Sequence, residues 1–302
     1  MRKEFARAMV GLHKDHPEYI FLTGDLGYMA LEKVRDIYQK KFINVGVAEQ
    51  NMVSFAAGLA YEGFVPWVYS IAPFAILRPY EQIRNDVCLH NLPVKIVGNG
   101  GGYGYGIMGA THHTLEDIAV MRVLPNMKVY VPFIASDVEE AVRMMADDPS
   151  PNYLRLNLAA KLNHTIESFQ QWRKVKDGKR VIIIGTGPVI GNILDIPDQS
   201  IIDDCEIWCV GIFPIHELPL ELVSSLAGKR MVLTIEEHYG QCGLNETISR
   251  LLLSTISHPV MFKSLHAKGY PSGKVGSQKW HQEENDLAGE SLRRIIKEYV
   301  HN

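Results

Sequence analysis

The sequence predicts an α/β protein of two domains, each a mostly parallel sheet flanked by helices. Three observations lead there. Short, continuous apolar runs alternate with segments of helical periodicity through the first half of the chain. Strand-like runs that lack polar alternation signal sheets covered on both faces, as parallel sheets are. A polar, irregular stretch near the middle of the 302 residues separates two such series, and 46% hydrophobic side chains are enough for two cores.

In chain order, helical spacing over residues 5–13 is followed by an apolar run at 19–23, a helical pattern at 29–40 and a second run at 42–45. The rhythm continues with a helix at 50–61, a strand at 65–69, a helix at 74–90 and strands at 94–98 and 128–131, then a helix at 136–146. Between about 157 and 180 the pattern turns polar, with Asn163-His164-Thr165 and the charged run 173–180. The boundary is therefore placed there: 1–160 as the first domain, 161–179 as a linker and 180–302 as the second domain. In the second, strands are expected at 181–184, 206–211, 231–236 and 260–264, with helices at 244–254 and 287–300.

The formal charge is −3, from 31 basic and 34 acidic residues mixed throughout, so nothing marks a nucleic-acid or anionic-membrane surface. The four cysteines, Cys88, Cys205, Cys209 and Cys242, have neither disulfide-framework nor zinc spacing. No run reaches the roughly 18 apolar residues of a membrane span, and residues 1–7 open an amphipathic pattern without a signal-like apolar core. A cytoplasmic setting with small-molecule or protein partners is expected.

Two stretches carry chemistry. In Asn44-Val45-Gly46-Val47-Ala48-Glu49-Gln50-Asn51-Met52 a strand ends and an Ala- and Gly-rich helix begins at a carboxylate. Taken alone, Glu49 is equally well explained as an acid favoured by the positive end of the helix macrodipole. The second stretch runs from Gly98 to His113 through seven glycines, a density that permits positive φ and close backbone approach to a ligand. It lacks a dinucleotide fingerprint and reads as a flexible active-site loop. Adjacent His112 and His113, if helical, point apart, so at most one of them faces a substrate.

These segments resemble the transketolase family, over essentially the whole chain and most strongly from Arg2 to Arg155. The Glu49 turn is similar to the one whose carboxyl hydrogen-bonds a pyrimidine nitrogen of thiamine diphosphate, and an acid kept protonated in an apolar site can share its proton with that ring. Gly109-Ala110-Thr111-His112 resembles the family's Gly-Pro/Ala-Thr-His motif, which implies that His112 polarises the substrate carbonyl or carries protons, leaving His113 structural. Ser70-Ile71-Ala72-Pro73-Phe74, followed by Arg78-x-Tyr80-Glu81-Gln82, resembles the stretch whose aromatic ring stacks on the aminopyrimidine, and Phe74 is the ring chosen. Thr23-Gly24-Asp25-Leu26-Gly27 resembles the strand-end aspartate segment beside the cofactor, although Asp25 is as well explained as a turn residue. Arg2 and Arg155 match positions that contact a sugar phosphate.

Departures from the pattern are informative too. Most transketolases carry a histidine and an aspartate where this chain has Gly100 and Met108, which points away from the ordinary pentose phosphates towards a modified or larger sugar. The family holds Mg²⁺ and the diphosphate through a Gly-Asp-Gly motif, whereas the one Gly-Asp pair here, Gly24-Asp25, is followed by Leu26. The resemblance therefore implies a split enzyme in which an N-terminal transketolase-like subunit supplies that motif and the Mg²⁺, as a heterotetramer acting on sugar substrates. Gly185-Thr186-Gly187-Pro188 and the Glu236-Glu237-His238 stretch resemble the family's C-terminal domain, with Glu237 and His238 expected in structural or interface roles. The alternatives are the β subunit of a 2-oxo acid dehydrogenase and a non-catalytic scaffold.

Overall fold

In the computed structural model, which describes residues 1–302 apart from Tyr28, Asn163, His164, Arg230, Pro271, Ser272 and Asn302, the chain forms two sheets. The strands are β1 (Tyr19–Thr23), β2 (Phe42–Asn44), β3 (Val65–Ile71), β4 (Lys95–Asn99), β5 (Lys128–Tyr130), β6 (Asn152–Leu156), β7 (Trp172–Lys176), β8 (Val181–Thr186), β9 (Cys205–Val210), β10 (Ile212–Phe213), β11 (Met231–Tyr239) and β12 (Met261–Ala267). The first sheet has the order β10-β5-β6-β4-β3-β1-β2 and is parallel except for β10; the second has the order β12-β11-β8-β9-β7 and is parallel except for β7.

Each sheet is covered on both faces, which is why its strands read as unbroken apolar runs. Along β8, Ile182 and Ile184 join the core beneath helix Leu244–Thr255, while Val181 and Ile183 join the core beneath helix Gly289–His301. In the first sheet, Ile20 and Leu22 pack towards helix Glu49–Tyr61, and Tyr19 and Phe21 towards helices Arg2–Leu12 and Asp137–Asp147.

Among the elements that differ from what the sequence pattern predicts, three bear on the site and on the junction of the sheets. The helix expected at 74–90 is broken into Ala72–Ile76, Tyr80–Gln82 and a π-helical turn, Ile83–Cys88. Pro79 disfavours helical backbone at the residue before it, so Arg78 falls in a turn. The segment 161–179 contains β7, and Arg173 on β7 is only 2% exposed because its Nη1 and Nη2 donate to Asp137 Oδ1 and Oδ2 at 2.8 and 2.7 Å. Asn163 and His164 of that segment lie outside the described residues. Thirdly, β10 leaves the second sheet after Gly211 alone and pairs antiparallel with β5, Ile212 opposite Tyr130 and Phe213 opposite Val129. A Cβ at Gly211 would meet the Gln170 carbonyl oxygen at 2.6 Å, so glycine permits this close crossover between the sheets.

Candidate active site at the carboxyl ends of the first sheet

Neighbouring parallel strands of the first sheet deliver their following loops to one edge. β1 leads to Asp25, β2 to Glu49, β3 to Phe74 and Arg78, and β4 to the glycine-rich loop. The crevice at the carboxyl ends of such a sheet is where α/β proteins place ligands. Asn44 ties two of these loops together: its Oδ1 accepts from the Asp25 and Gly46 amides at 2.9 and 3.0 Å, and its Nδ2 donates to Asp25 Oδ1 at 3.3 Å. Asp25 itself is exposed, with φ of 58°, and borders a cleft with Thr23, Gly27 and Arg35.

Glu49 is the first residue of its helix and is 4% exposed. Its Oε1 accepts from Arg78 Nη1 at 2.8 Å, and the Arg78 guanidinium carbon lies 3.9 Å from the centroid of the Phe74 ring. Phe74 meets His112 edge-on at 5.2 Å between centroids, and His112 lies 5.9 Å from Tyr105. The structure thus brings Glu49, Phe74 and His112 into one continuous line, linked by Arg78, a residue whose role the sequence motif alone does not reveal. A local signal existed, since Phe74 and Arg78 are four residues apart at the end of a helical run.

His112 does not sit on a helix: it lies in a turn, its amide bonded to the Gly109 carbonyl at 3.0 Å and its Nδ1 within 3.0 Å of Thr111 Oγ1. The nearest following helix begins only at Asp117. His113 is 1% exposed, its Nε2 is 2.9 Å from the Gly106 carbonyl, and burial depresses its pKa, so it is a neutral core group.

The glycine-rich stretch is a packed platform as far as Gly106 and then exposes Ile107 and Met108. Gly100 and Gly101 amides donate to the Leu156 carbonyl, Gly102 exchanges backbone bonds with Thr114, and Asn157 Nδ2 donates to the Gly101 carbonyl at 2.8 Å. Tyr105 folds over Gly100, where any Cβ would strike its ring, and its hydroxyl accepts from Asn99 Nδ2 at 2.8 Å. From the second sheet, buried Glu237 accepts from the Tyr103 amide at 2.6 Å and from Gln278 Nε2 at 2.9 Å; burial raises its pKa. His238 is fully buried, accepts from the Ala119 amide at 3.3 Å, and burial depresses its pKa to about 4. Both residues hold the two halves together.

The arginines divide. Arg2 is the first residue of its helix, and it borders a cleft of about 400 Å³ with Asn99, Gly100, Tyr105 and Asn157. Arg155, matched above to a phosphate-contacting position, lies buried among protein partners. It is 2% exposed; Nε donates to Asp117 Oδ2 at 2.7 Å, and Nη2 to the Glu237 and Thr114 carbonyls at 2.9 and 3.3 Å. A guanidinium so enclosed braces the fold.

The planar Arg78 group tests whether this seat suits an aminopyrimidine. A flat, nitrogen-bearing cation already lies over Phe74 while bonding Glu49, and a ring face beside a carboxylate is the pair of partners that an aminopyrimidine would use. Among the described residues, no three or more His, Cys, Asp or Glu side chains are grouped to hold a metal ion, and no helix is long and apolar enough to cross a membrane.

The family described as transketolase, pyrimidine binding domain, matches residues 1–160. A subunit of the apulose-4-phosphate transketolase of Phocaeicola vulgatus is 28% identical over 83% of this chain and 83% of its own length. A protein of Methanocaldococcus jannaschii, named as a transketolase C-terminal section, is 31% identical over 84% of this chain and 82% of its own length. The solved structure described as split gene transketolase, inactive beta4 tetramer, superimposes with a TM-score of 0.83 at 26% identity, covering 99% of this chain and 98% of that one. With Glu49, Phe74 and His112 gathered on the matched sheet, the chain belongs to the split transketolase family as its C-terminal section, a pyrimidine-binding domain followed by the C-terminal domain.

Proposed function

We propose that this chain is the pyrimidine-side subunit of a thiamine-diphosphate-dependent transketolase, which moves a two-carbon ketol unit from a ketose to an aldehyde acceptor. The observation that carries this reading is the buried Glu49 carboxylate aimed at the flat seat on Phe74. Thiamine diphosphate, when bound, supplies a nucleophilic carbon and an electron sink for carbon–carbon cleavage. Glu49 holds the proton shared with the pyrimidine nitrogen, and Phe74 fixes the plane of that ring. His112 moves a proton at the substrate carbonyl oxygen, and Asp25 borders the cofactor side of the crevice. Arg2 at the mouth of the cleft is assigned to substrate phosphate; Arg155 is not.

A partner subunit with a Gly-Asp-Gly motif is proposed to hold Mg²⁺ and the diphosphate in a heterotetramer. The relatives support this: one is named as a single subunit of a transketolase, and the split-gene structure is described as an inactive beta4 tetramer. The substitutions Gly100 and Met108, with Tyr105 folded over the first, favour a modified or larger sugar.

Calorimetric titration of thiamine diphosphate with Mg²⁺ should show binding to the complex with its co-purified partner and none to the chain alone. The complex should then turn over ketose plus aldehyde. Turnover only of pyruvate with an electron acceptor would assign the chain to the 2-oxo acid dehydrogenases instead.

A further inference from the structure

Arg78 occupies both surfaces that the proposed cofactor needs. Its Nη1 bonds Glu49 Oε1 at 2.8 Å, and its guanidinium carbon lies 3.9 Å above the Phe74 ring. A guanidinium and an aminopyrimidine are both flat, both carry N–H donors and both stack on aromatic faces. The carboxylate oxygen and the ring face cannot serve both groups at once.

The local chain allows this side chain to leave. Pro79 places Arg78 in a turn between two short helices, and the Arg78 side chain is 46% exposed against 4% for Glu49. The outer end of the arginine can therefore rotate into solvent, whereas Glu49 is itself buried in the first turn of its helix.

We propose that Arg78 is a gate on the aminopyrimidine seat: in the cofactor-free chain its guanidinium stands between Glu49 and Phe74, and cofactor binding displaces it. The inference rests on reading those two residues as the cofactor's seat. While the gate is closed, Glu49 has a partner for a carboxylate that would otherwise be buried without one. The same contact lowers the apparent affinity for cofactor by the fraction of chains that are open. Arg78 thus stabilises the empty subunit and opposes loading, whereas a residue that simply binds the cofactor favours loading.

The test is calorimetric titration of thiamine diphosphate, at saturating Mg²⁺, into the complex with its partner subunit. Wild type, Arg78→Met and Arg78→Lys are compared, together with their melting temperatures before cofactor is added. Arg78→Met is expected to tighten binding by roughly three- to tenfold, the bias that a partly exposed ion pair and one cation–π contact can hold, and to melt lower when empty. Arg78→Lys, which retains the charge but not the flat stack, should fall between, and it keeps the test available if Arg78→Met does not fold. Normal binding by wild type with unchanged or weaker binding by the variants overturns the gate and leaves the cofactor reading intact. Failure of every complex, wild type included, to bind thiamine diphosphate overturns the cofactor reading and the gate together.

Discussion

Replacing Arg155 with methionine separates a bracing arginine from a phosphate-gripping one. Arg155 and Asp117 are 2% and 0% exposed and meet at 2.7 Å, and the same Asp117 oxygen accepts the Tyr153 hydroxyl at 2.9 Å. Methionine replaces the stem of the side chain but none of its donors. It leaves a buried carboxylate without its cation and removes a donor from the Glu237 and Thr114 carbonyls. Breaking a buried ion pair from one side costs about 3–5 kcal/mol, mainly through the uncompensated charge that remains. With an m-value of about 3 kcal/mol/M in urea for a chain this large, the unfolding midpoint should fall by roughly 1–1.7 M. Buried Trp67 and Trp208 report on the two sheets by fluorescence. Adding Asp117→Leu to Arg155→Met should recover part of the loss, because the unpaired charge is gone, giving a non-additivity of about 1 kcal/mol or more. A midpoint shift below about 0.3 M, with KM for a phosphorylated sugar raised tenfold or more, would refute the bracing role and restore the phosphate one.

Glu49→Gln in the reconstituted complex should lower ketol transfer by about 10²–10⁴-fold, the usual worth of a positioned acid or base, while the protein stays folded by circular dichroism; full activity would sink the role given to Glu49. His238 is buried and neutral, its pKa depressed by burial to about 4 against an unfolded value near 6.5. Its contribution to stability is therefore present above pH 6.5 and is lost as pH falls towards 4, by up to about 1.4 kcal/mol per pH unit. Melting curves of His238→Gln should show a shallower fall between pH 6.5 and 4 than wild type, and parallel profiles would contradict this. Gly102 has φ of +65°, and a Cβ there would run into the Glu237 carboxylate, so Gly102→Ala should cost about 2–4 kcal/mol in strain and displacement. A loss under about 1 kcal/mol in chemical denaturation would mean that Glu237 moves aside without consequence.

Local patterning was enough for most strands and for the ends that carry the site. A strand covered on both faces must be apolar at every position, so β1, β8 and β11 announce themselves without knowledge of what covers them. The carboxylate at the start of helix Glu49–Tyr61 and the glycines between β4 and Asp117 were legible for the same local reason. The side-chain roles were less so. Nothing local shows that Arg155 is held by Asp117, 38 residues away, and β7 reads as linker because its inward arginine is matched by Asp137, 36 residues away.

The tertiary structure alone decided three things: that β10 crosses to the first sheet, that Glu237 fastens the glycine platform from the second, and that Arg78 lies on Phe74 against Glu49. The physical reason is common to all three. Backbone propensity and apolar spacing act over a few residues and are written in the chain locally, whereas a buried charge or hydrogen-bonding group is placed by whichever distant partner compensates it.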